Sequence, residues 1–81
     1  MLESTNALIG ALIAVMRELD RCEKKLAGGS LTEDEEEALG PFIDQLHEAL
    51  ADLSAVYEER RKEHGHLLDL EALKACAIAA A

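Results

Sequence analysis

A chain of 81 residues allows one domain, and a chain this short buries only a small core when it folds alone, so self-association is an open route to further burial. Apolar residues make up 49% of it but aromatics only 2%, so a core has to be built from Leu, Ile, Val and Ala, a set that favours helices. The formal net charge of −9 argues against direct nucleic acid binding, because that affinity depends on Lys and Arg displacing counterions.

The first predicted element opens with Ser4 or Thr5 as N-cap and stops at Gly28-Gly29, just after the basic pair Lys24-Lys25. Between these ends Leu8, Leu12, Val15, Leu19, Cys22 and Leu26 alternate spacings of four and three, which is a heptad seam. A second stripe, Ile9, Ile13 and Met16, lies beside it and gives way to Asp20 and Glu23, so the apolar face is wide in the first half of the helix and narrow in the second. The run Ala7 to Met16 has the length of a signal-peptide core, but Glu3 stands where a basic flank belongs and no clear cleavage site follows. The run is also too short to span a bilayer. A cytoplasmic protein without membrane contact is expected.

The second element starts after Ser30-Leu31. Thr32 followed by Glu35 fits a capping box, and Glu33, Asp34, Glu35, Glu36 and Glu37 place negative charge at the positive end of the helix dipole. Leu39, Ile43, Leu46, Leu50, Leu53 and Tyr57 repeat the four-three spacing, flanked by Phe42, Ala49 and Val56. This register runs straight through Pro41. An interior proline costs about 3 kcal/mol unless the helix bends, which leaves two readings: one kinked helix over about 33–62, which the register of Leu39 with Ile43 favours, or a helix that begins with Pro41 at its first position. Arg60, Arg61 and Lys62 suit the far end of the dipole, and Gly65 ends the element.

A third, shorter helix is expected from Asp69 as N-cap through Leu70, Leu73, Ala77 and Ile78 into a terminal alanine run whose last turn frays. The three helices are thus placed at about 5–27, 33–63 and 69–79 of a single domain, 1–81. In an antiparallel hairpin the third helix leaves from the end of the second, beside the start of the first. About a dozen residues span ~18 Å, enough to cover the Ile9, Ile13 and Met16 stripe and no more. The expected fold is all-α, a three-helix bundle with a short third member. Its rival is a hairpin dimer that buries the same stripe in a four-helix bundle.

Candidate chemistry is sparse. Asp44-x-x-His47 is a short form of the carboxylate-x-x-His unit of di-metal bundles, yet helical spacing puts His47 at the edge of the apolar face and Asp44 behind it. His64 and His66 supply two imidazoles, which turn chemistry and the helix C-terminus explain equally well. Cys22 and Cys76 lack metal or disulfide spacing and are expected to be reduced, with Cys76 level with Ala14 and about 12 Å along the axis from Cys22. Neither has a neighbouring His to activate it, and Gly28-Gly29-Ser30 lacks the full pattern of a phosphate loop. No enzyme, metal or cofactor is expected.

Charge is unevenly distributed. No Lys or Arg occurs between Leu26 and Arg60, and Asp44, Glu48 and Asp52 form an acidic stripe opposite the seam. Two roles follow. One is a non-enzymatic interaction module, an adaptor, co-chaperone or regulatory subunit, that offers an apolar helical surface to another protein or to a second copy, with Ile9, Ile13 and Met16 as the contact. The other is an acidic inhibitor of the phage-encoded kind, occupying a basic nucleic-acid-binding site on a host protein through Asp44, Glu48 and Asp52. In layout, residues 8 to 60, with "KKLAGGS" before "EALADL", the hairpin resembles the small co-chaperones of secretion-needle subunits. That resemblance implies a helix pair that keeps a partner soluble.

Overall fold

The computed structural model describes residues 4–79, which form three helices, α1 (Thr5–Gly28), α2 (Glu33–Glu63) and α3 (Leu70–Ala79). Glu3 and the last two alanines, Ala80 and Ala81, lie outside the described residues. Helix α1 packs against both α2 and α3, as expected of a three-helix bundle.

Four of the six helix ends have a local cause. The Ser4 hydroxyl accepts from Ala7 N–H at 3.4 Å and begins α1. At the other end Gly29 takes φ 67°, a left-handed conformation in which a Cβ would be strained, and its N–H donates to the Leu26 carbonyl at 3.3 Å. Helix α2 opens on a complete capping box: Glu35 N–H donates to Thr32 Oγ1 and Thr32 N–H donates to Glu35 Oε1, both at 3.2 Å. It then runs through Pro41 as one helix rather than beginning there. Leu39 and Ile43, both half-buried, stay in register on the two sides of the proline. The Asp69 carboxylate accepts from Ala72 N–H at 2.8 Å and caps α3.

The core lies at one end of the hairpin. Leu8, Leu12 and Met16 of α1, Tyr57 of α2, and Leu73 and Ala77 of α3 form the buried cluster, edged by Ile9, Ile13, Leu50, Leu53, Leu67 and Leu70. Three side-chain bonds tie this end together. The Tyr57 hydroxyl donates to the Leu68 carbonyl at 2.7 Å, fixing the connection into α3. Arg17 Nε donates to the Ala77 carbonyl at 3.0 Å, placing a cation at the negative end of α3. Arg60 Nη1 donates to Thr5 Oγ1 at 3.0 Å and joins the end of α2 to the start of α1.

Burial pushes the Tyr57 pKa above the ordinary tyrosine value of 10.0, against a smaller opposing pull from Arg61. The fold therefore favours the neutral phenol. This contribution to stability is fully present below about pH 10, the unfolded value, and is lost as pH rises through the higher folded value. Tyr57 is the chain's one tyrosine, so its ionisation is directly readable by ultraviolet absorbance. Absorbance titration of the folded protein is expected to show a midpoint above that of the denatured chain, with denaturant stability falling over the same range. Tyr57→Phe should remove this alkaline loss and cost about 1 kcal/mol at neutral pH for the missing bond.

Candidate interaction surface

A two-helix hairpin has two faces, and α3 can occupy only one. From Leu12 at the seam of α1, Ile9, Ile13 and Met16 rotate to one side at about 100° per residue, while Val15, Cys22 and Leu26 rotate to the other. Helix α3 lies on the first side. Met16 is buried in the core, and Ile9 and Ile13 are half-buried against it. On that side the cleft bounded by Met16, Leu19, Leu50 and Lys74 holds only about 50 Å³. The three residues expected to contact a partner are thus brought together, but under the protein's own third helix.

On the opposite face Cys22 is buried and Val15 half-buried, and what stays open is the flank of α2 and the loop end. Phe42, Ala49 and Val56 recur every seven residues along one flank of α2, and Phe42 and Val56 are 40% and 42% exposed. At the loop end of this face a groove of about 290 Å³ is lined by Lys25, Leu31, Glu35, Ala38, Leu39 and Phe42. Leu26, 39% exposed, belongs to the same end. The sequence showed the flank of Phe42, Ala49 and Val56, but the denser Ile9, Ile13 and Met16 stripe outranked it. The signal that separates the two is chain connectivity. A short helix entered from the end of α2 takes the most apolar flank beside it and leaves the other.

Asp44, Glu48 and Asp52 are all exposed on α2, and among the described residues no ion pair engages them. Ion pairs cluster elsewhere. Lys24 pairs with Asp20 at 2.9 Å, Arg61 with Glu58 at 3.0 Å, Lys62 with Glu59 at 3.1 Å, and Arg21 with Glu18. The hydrogen bond from Arg21 holds the Glu18 carboxyl below the usual carboxylate range. Of the cysteines, Cys22 is buried, Cys76 is exposed, and both are free thiols. The rings of His64 and His66 meet edge to face at 6.0 Å. Among the described residues no three His, Cys, Asp or Glu side chains are grouped to hold a metal ion, and no helix is long and apolar enough to cross a membrane.

Comparison with protein-family models, with curated proteins and with solved structures returns no match to this chain.

Core and open face should separate cleanly by mutation. Leu12, fully buried, should lose about 2–5 kcal/mol on Leu12→Ala. Phe42→Ser and Val56→Ser, on the open face, should change stability far less, by about 1 kcal/mol or under. Chemical denaturation of the three variants checks this, and a loss at Phe42 equal to that at Leu12 would place Phe42 in the core.

Proposed function

We propose that the protein is a non-enzymatic interaction module that receives a partner on the open face of the α1–α2 hairpin. The observation that carries this reading is the exposed Phe42 beside Leu31 and Leu39 in an apolar groove. Aromatic side chains are scarce in this chain, and the one phenylalanine lies at the surface rather than in the core. An exposed aromatic in a shallow apolar groove is the usual form of an interface anchor. The elongated hairpin, about 46 Å long, offers the groove a continuation along α2 toward Val56. Such a surface suits a helix laid lengthwise. The adaptor or co-chaperone role expected from the sequence is kept, with the contact moved from Ile9, Ile13 and Met16 to Phe42, Leu31 and Leu39.

The second reading, an acidic inhibitor, is supported by the exposed row Asp44, Glu48 and Asp52. The two readings use different faces of α2, because Glu48 points away from the seam by helical spacing while Phe42 flanks it. A photo-crosslinking residue placed at position 42 should trap a discrete protein adduct in extract of the source cells, and one placed at position 48 should not. Adducts from 48 alone would favour the acidic inhibitor, and adducts from neither would refute both.

A further inference from the structure

We infer that the occupant of the open groove is a basic amphipathic helix about four turns long. This rests on the interaction-module reading and adds the chemistry of the partner. The length follows from the surface. Phe42 and Val56 stand fourteen positions apart on one flank of a single helix, which is about 21 Å, and a partner helix of similar span presents one apolar residue to each with others between.

The charge follows from the rim. Glu35 lines the groove itself and helical spacing puts Asp34 on the same side of α2, whereas Glu33, Glu36 and Glu37 line a separate concavity at that end. Further along, helical spacing puts Asp52 on the side of α2 that borders Val56. Lys25 is the one cation among the groove-lining residues, and no Lys or Arg follows until Arg60. Lysines or arginines on the side of the partner helix that faces α2 would meet these carboxylates at the edge of the contact, where complementary charge speeds encounter and rejects unlike partners. A second copy is disfavoured by the same charges. Each chain carries −9, and pairing two open faces would set one acidic rim against another.

The test uses the full chain and two labelled model peptides of about four helical turns. Both carry the same leucine stripe; one has lysines on its flanks and the other has glutamates in their place. Fluorescence anisotropy measures binding near physiological salt and again near ~0.5 M, where the screening length is roughly halved. Sedimentation over a wide concentration range records the protein's own association.

The expected result is binding of the lysine peptide at least about tenfold tighter than the glutamate peptide, weakened by salt. Phe42→Ser should cut that binding about tenfold while circular dichroism shows unchanged helix content. Equal binding of both peptides, still lost on Phe42→Ser, would overturn the basic partner and leave the module reading intact. Concentration-dependent dimers that vanish on Phe42→Ser would also overturn it, with a second copy as occupant. Lysine-peptide binding that survives Phe42→Ser but disappears in the double variant Asp44→Asn, Glu48→Gln would move the contact to the acidic stripe. Binding of neither peptide by a monomer would remove the basis for both readings.

Discussion

A length mismatch governs this fold. Helix α3 has 10 residues and α2 has 31, so α3 reaches about 15 Å along a hairpin roughly three times as long. Everything buried by three helices lies within that reach. Beyond it the hairpin is two helices alone, which seals the seam residues Leu19 and Cys22 but leaves Leu26, Leu31, Leu39 and Phe42 partly in water. Burial of apolar area is the main favourable contribution to folding, at about 25 cal/mol per Å². The loop end therefore contributes least per residue to stability.

The contacts that place α3 are correspondingly specific. Helix α3 is mostly alanine and leucine and is short for a helix stable by its own propensity. It gains order from outside itself. Asp69 caps its start, the Tyr57 hydroxyl pins the preceding connection through Leu68, and Arg17 meets the carbonyl of Ala77 near its end. Tyr57 links packing and topology. Its ring fills the core beside Leu73 while its hydroxyl decides where the chain turns.

Much of this was legible in the residues. Capping chemistry is local, so Ser4, Gly29, Thr32 with Glu35, and Asp69 marked the helix ends in the sequence itself. The seam was legible because heptad spacing survives any arrangement of neighbours. Continuity through Pro41 was readable from Leu39 keeping step with Ile43. The open face was harder to find. Two apolar flanks bordered the seam, and periodicity ranks flanks by hydrophobicity without saying which one the chain itself will cover. Reading α3 as a lid over Ile9, Ile13 and Met16, and then asking what remained, points to Phe42 and Val56. The bonds from Arg17 to Ala77 and from Arg60 to Thr5 span most of the chain and carry no local signature.

The two faces of the hairpin suggest how an occupant would act on the protein. Helix α3 shows what one apolar helix does for this scaffold: over its length it converts a half-open seam into a closed core. A partner helix laid on the opposite face would do the same for the loop end, where Leu39 and Phe42 are already ordered by α2 and lack only cover. Little backbone would need to be organised on binding, because the capping box and Gly29 already fix the loop and both helix ends. On the same proposal the carboxylates beside the groove act in the unbound protein as well. An exposed apolar groove on a small helical chain invites aggregation, and the carboxylates on its α2 side would repel further copies while leaving it accessible to a cationic helix. On the proposed reading, one arrangement of charge keeps the groove open and selects what enters it.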